Sequence, residues 1–66
     1  MKKGITPVVG AKAGNLGEGW VMVLPDQKII RTSPVQYVSE DRYLGIVLIE
    51  TYHTLYICHA QDIQRE

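Results

Sequence analysis

The chain has 66 residues, a single cysteine (Cys58), and seven Lys/Arg against seven Asp/Glu, so its formal net charge is zero. That composition allows one domain at most, excludes an intramolecular disulfide, and offers no net field to attract nucleic acid or an acidic membrane. A core of this size contributes only about 3–5 kcal/mol unless a metal, a disulfide or oligomerisation adds to it. No zinc-ligand set is visible, so oligomerisation is the expected supplement.

Glycine divides the chain. Gly4, Gly10, Gly14, Gly17 and Gly19 fall in the first nineteen residues, and only Gly45 follows. Met1-Lys2-Lys3 has the charge of a leader, but no adequate apolar stretch follows it, so no secretory signal is expected. Residues 5–9 are apolar and β-branched around Pro7; because proline cannot donate to a ladder, they read as an edge strand or arm. Residues 10–18 read as a long loop. Residues 20–24 form a compact strand, apolar on both faces, which implies burial on both sides or a subunit contact. Pro25-Asp26 makes a turn, since proline presets φ and aspartate bonds the backbone beyond it. Residues 28–32 return as the second strand of that hairpin.

Ser33-Pro34 interrupts the pattern, and residues 35–39 form the next strand. Glu40-Asp41-Arg42 reads as a polar turn. Residues 43–51 read as the longest strand, with Leu44, Ile46 and Leu48 on one face and Tyr43, Val47 and Ile49 on the other. The uncharged part of that run is broken by Gly45 and is far shorter than the roughly 20 residues a membrane helix needs. Tyr52-His53 is the following turn. Residues 54–58 form the last strand, with Leu55 and Ile57 facing one way and Thr54, Tyr56 and Cys58 the other. Residues 60–63 suit one helical turn, with Ile63 tucked against the sheet.

The expectation is an all-β single domain over residues 1–66: a strand or arm with a Gly-rich loop (1–19), strands (20–58) and a C-terminal turn (59–66). Five or six short, mostly antiparallel strands imply a small barrel, which leaves fewer aggregation-prone edges than an open sheet. The layout resembles SH3-like small barrels in its strand, long Gly-rich loop, tight hairpins and short terminal helical turn. In the signalling version of that fold the helical turn precedes the last strand; here it is expected after it.

The glycines do not spell a phosphate-binding loop. The order Gly14-x-x-Gly17-x-Gly19 reverses the dinucleotide fingerprint, no Walker sequence is present, and no helix follows to supply an anion-binding N-terminus. Cys58 and His59 are adjacent on a strand and point to opposite faces. His53 and His59 are separated by about 20 Å of straight strand, too far to share a metal. Glu50, Asp62 and Glu66 have no spacing that makes any of them the partner of a Cys–His nucleophile or an acid–base pair. No catalytic residue, metal or cofactor is therefore assigned, and the chain reads as a non-enzyme.

The aromatic set is four tyrosines and one tryptophan with no phenylalanine. Tyrosine, tryptophan and arginine are enriched at interfaces. The candidate interaction surface is Trp20, Tyr37, Tyr43, Tyr52 and Tyr56, with Arg31 and Arg42 at its rim. The expected function is a non-catalytic protein-interaction or assembly module, homo-oligomeric, with protein (self or other) as partner and no membrane. A nucleic-acid-binding barrel is the alternative, using Lys2, Lys3, Lys12, Lys28, Arg31 and Arg42 if the fold gathers them, although neutral net charge disfavours it. A ligand or catalytic site formed only between subunits is the third reading. The lone free cysteine suits a reducing, cytoplasmic compartment.

Overall fold

A computed structural model describes residues 3–65; Met1, Lys2 and Glu66, and the readings that involve them, lie outside the described residues. The chain is all-β. Its eight strands are β1 (Gly4–Pro7), β2 (Gly10–Lys12), β3 (Val21–Val23), β4 (Ile29–Arg31), β5 (Tyr37–Asp41), β6 (Ile46–Glu50), β7 (Thr54–His59) and β8 (Ile63–Gln64). A 3₁₀ turn over Ala60–Asp62 separates β7 from β8. Among the described residues no helix is long and apolar enough to cross a membrane.

The strands form two four-stranded sheets, ordered β1-β7-β6-β5 and β4-β3-β2-β8. Pairing is mostly antiparallel. The exceptions are β1 with β7 and β2 with β8, because the N-terminal segment runs alongside the C-terminal segment in the same direction. Pro7 sits on β1, an edge strand, where its missing N–H costs no ladder bond.

The N-terminal segment changes sheet at Val8-Val9. The Val8 N–H donates to the Ile57 carbonyl at 2.9 Å, in the first sheet, and the Val9 N–H donates to the Val23 carbonyl at 2.8 Å, in the second. Val8 and Ala11 are both buried with two residues between them, so the in–out alternation skips a step at this corner. Such irregularities let one strand serve two sheets.

The core lies between the sheets. Met22, Val35 and Ile49 are fully buried, and Val47 and Cys58 nearly so, with Val8, Ala11 and Trp20 around them. Each such side chain contributes about 1.5–3 kcal/mol on burial. Ala11 contributes little of this.

Several sequence expectations are corrected. Among the described residues the strands number eight, and they form two sheets in place of a closed barrel: β5 and β8 remain separate edges. The 10–18 loop begins only after β2, whose Gly-Ala-Lys sequence has little strand propensity and is held by its neighbours on both sides. The helical turn is present, and Ile63 packs against the core as expected. It precedes the last strand, however, because β8 follows it.

In β3, Met22 is buried but Val21 is 41% exposed, so this strand is covered on one face only. The strand expected at 35–39 lies two residues later, and the turn after it is shifted as well. Asp41 Oδ1 accepts the N–H groups of Tyr43 and Leu44 at 3.0 and 3.1 Å. That aspartate turn and Gly45, at φ 66°, place Tyr43 and Leu44 in the loop and start β6 at Ile46.

Candidate functional site

The seven residues singled out from the sequence are not brought together. Trp20 is a core residue, 6% exposed. Its indole N–H donates to the Asn15 carbonyl at 3.1 Å, which ties the long loop to the core. Tyr56 points inward from β7 and packs against the core. Tyr37, Tyr43 and Tyr52 are exposed, but at different places. Tyr37 pairs with Glu50 and so lies at the Tyr52 end of its sheet, whereas Tyr43 occupies the turn at the opposite end. Arg42 shares that turn, and Arg31 lies on β4 of the other sheet.

A more coherent surface is the outer face of the first sheet. Val47, Ile49 and Cys58 point into the core, so alternation sends Ile46, Leu48, Leu55 and Ile57 outward. The register then writes three rows across the face. One runs Ile5, Leu55, Glu50, Tyr37; the next Pro7, Ile57, Leu48, Ser39; the third His59, Ile46, Asp41. Ile5 is 65% exposed and the central aliphatic side chains are half-buried. Lys3 Nζ lies 3.7 Å from Glu50 Oε2 at the first row, and Asp41 and His59 close the other end. Sequence reasoning applied the two-faced criterion to residues 20–24; the stretch 46–49, apolar at every position, meets it.

The second feature lies in the gap between the sheets. A cleft of about 380 Å³ opens where β5 and β8 fail to pair, walled by Ala13, Trp20, Val38, Val47 and Ile63, with Tyr37 and Leu16 among its lining. Arg65 bridges the gap, its Nη2 standing 3.5 Å from Glu40 Oε1. Beside the cleft is a more polar depression of about 630 Å³ lined by Lys12, Asn15, Glu18, Arg31 and Arg65. Of the cations considered for nucleic acid, the fold thus gathers Lys12 and Arg31. Lys3 lies on the first sheet, Lys28 in the β3–β4 hairpin and Arg42 in the β5–β6 turn.

Cys58 and His59 face opposite ways, the thiol buried and the imidazole exposed. Burial, and after it the nearby Asp62 carboxylate, push the Cys58 thiol above its ordinary value, the reverse of what a nucleophilic cysteine requires. No family model, no curated protein and no solved structure matches this chain.

Proposed function

We propose that the chain is a small assembly module that pairs with a second copy of itself through the outer face of the first sheet. The observation that carries this reading is the aliphatic centre of that face, Leu48 and Ile57 side by side with Ile46, Leu55, Ile5 and Pro7 around them. A contiguous apolar face rimmed by polar groups marks an association surface. The chain also exposes 4873 Å², against about 4,200 Å² for a folded monomer of its mass.

A second copy suits the face better than an unlike partner because the face is self-complementary. Zero net charge imposes no repulsion between copies. A two-fold axis across the strands sets the Lys3 end of one copy over the Asp41 end of the other, with Leu48 and Ile57 near the axis. Non-enzymatic assembly is also consistent with the protonated, inward-facing Cys58. We further read the two sheets as an SH3-like barrel left open along the β5–β8 gap. The long loop and the 3₁₀ turn before the last strand support that reading; the parallel β1–β7 pair departs from an all-antiparallel layout.

Sedimentation equilibrium tests the assembly. The expected result is a dimer that Leu48→Lys or Ile57→Lys converts to a folded monomer, while Ile29→Lys, on the other sheet, leaves it dimeric. A wild-type chain that stays monomeric at millimolar concentration overturns the proposal, as does a dimer that neither substitution on the first sheet weakens.

A further inference from the structure

The cleft between β5 and β8 shares only Tyr37, on the edge strand β5, with the proposed dimer face, and its two halves differ in chemistry. The inner half is apolar, with Trp20, Val38, Val47 and Ile63 as walls. The outer half carries Lys12, Arg31 and Arg65 against the single carboxylate of Glu18. The two halves share Ala13, Gly14 and Arg65, so they lie side by side. We propose that this site binds a small monocarboxylate with an aromatic or branched aliphatic body: the body enters beside Trp20 and the carboxylate meets the cations.

Three observations support that class of ligand. The apolar half has the volume of a small-molecule site, for which roughly 300 Å³ is the lower bound. Among the described residues neither Lys12 nor Arg31 has an ion-pair partner, and Glu18 is engaged by the Asn15 N–H at 3.2 Å. Against the three cations stand Glu18 and the Glu40 that pairs with Arg65, so the depression keeps a net positive charge next to an apolar slot, which suits an anion with an apolar body.

The third observation is how Arg31 is placed. A Cβ at Gly19 would meet Arg31 Cγ and Nε, each at 3.3 Å, so the absence of a side chain at position 19 lets Arg31 lie against the backbone beside the depression. A guanidinium in this position can present parallel N–H donors to a carboxylate. Arg65, held by Glu40 only through a 3.5 Å contact, is free to turn toward the same anion. Most apolar surface in the slot comes from residues on four different segments, so the pocket exists only in the folded chain and a bound ligand stabilises it.

Trp20, the chain's one tryptophan, walls the slot and reports its occupancy by fluorescence. The probes are phenylacetate and isovalerate, each against its neutral amide, and an acetylated dipeptide ending in phenylalanine as free acid or as amide. The expected result is a saturable change in Trp20 emission with the acids, with amides binding about tenfold more weakly, the loss of one charge-assisted contact. The double variant Lys12→Gln/Arg31→Gln, confined to exposed side chains, removes the preference for acid over amide while its circular dichroism spectrum stays unchanged. Binding of the dipeptide acid but not the free acids identifies a peptide C-terminus as the source; the converse identifies a metabolite-sized acid. Equal binding of acid and amide, no emission change with any probe at millimolar concentration, or an unaltered acid preference in the double variant overturns the proposal.

Discussion

Trp20 and Thr32 are joined by two hydrogen bonds that run in opposite directions. The Thr32 N–H donates to the Trp20 carbonyl at 2.8 Å, and the Trp20 N–H donates to Thr32 Oγ1 at 3.0 Å. The same hydroxyl donates onward to the Ser33 carbonyl at 2.7 Å. Thr32 is 8% exposed, so its hydroxyl stands in for a ladder partner in a place that water does not reach. Thr32→Val keeps the shape and deletes the acceptor, which leaves the Trp20 N–H buried and unpaired. The expected cost is about 1–3 kcal/mol, read as a lower urea midpoint with an unchanged slope. Thr32→Ser restores most of it, and a valine variant as stable as the wild type would refute the assignment.

Gly19 stands next to this pair. A Cβ there would collide with the Thr32 carbonyl oxygen, a backbone atom that cannot swing aside. Gly19→Ala is therefore expected to destabilise by about 1–3 kcal/mol, the usual penalty for overpacking. The same substitution at Gly4, where nothing lies within 4 Å, is expected to be nearly neutral. Thermal unfolding of the two variants side by side checks the contrast.

The β3–β4 hairpin contains a correctable strain. Its loop is Pro25-Asp26-Gln27, closed by the Leu24 N–H to the Lys28 carbonyl at 2.8 Å and the Gln27 N–H to the Leu24 carbonyl at 2.9 Å. Asp26 Oδ1 accepts the Lys28 N–H at 3.0 Å, as the Pro-Asp pair implied. Gln27 sits at φ 73°, the left-handed position that glycine usually fills in a three-residue hairpin loop. Gln27→Gly is expected to stabilise by about 0.5–1 kcal/mol, since the relief of left-handed strain exceeds the added chain entropy. A rise in melting temperature checks it; a fall shows that the glutamine side chain has a role beyond the turn.

What the sequence reveals here is mostly local. The Pro25-Asp26 corner, the edge placement of Pro7, the inward Cys58 and the packed Ile63 follow from φ restriction, a missing donor and alternation over a few residues. What it conceals depends on distant neighbours. β2 and β8 are too short and too weak in propensity to be strands alone; β8 exists because it runs beside β2, and β2 because it is held between β3 and β8. The turn expected at Glu40-Asp41-Arg42 is displaced because Asp41 stays in β5 and its Oδ1 accepts the N–H groups of Tyr43 and Leu44. The tyrosines share a composition but not a location: Tyr43 and Tyr52 lie in the turns at opposite ends of β6, Tyr37 on β5 and Tyr56 inward on β7. The cleft and its cations were hidden for a related reason: Lys12, Arg31 and Arg65 are far apart in the chain, and only the pairing of β2 with β3 and β8, and of β3 with β4, brings them near one another.

Cys58 makes stability depend on pH in a predictable direction. Its side chain is 1% exposed, and Sγ donates to the His59 carbonyl at 3.4 Å. Burial first, then the Asp62 carboxylate, hold the folded thiol above the ordinary value of 9.0, at which the unfolded chain titrates. Below that value both states keep the proton and the contribution is complete. As pH climbs past it, the unfolded chain releases its proton while the folded chain retains it, so stability is lost from there through the folded value. Urea midpoints of the wild type are therefore expected to fall between about pH 8 and about pH 10 more steeply than those of Cys58→Ala, which is less stable throughout but lacks this titration. A thiol reagent is expected to react with the native chain only at the rate of local opening. Parallel pH profiles for the two proteins, or immediate labelling of the native chain, would show that Cys58 is open to solvent.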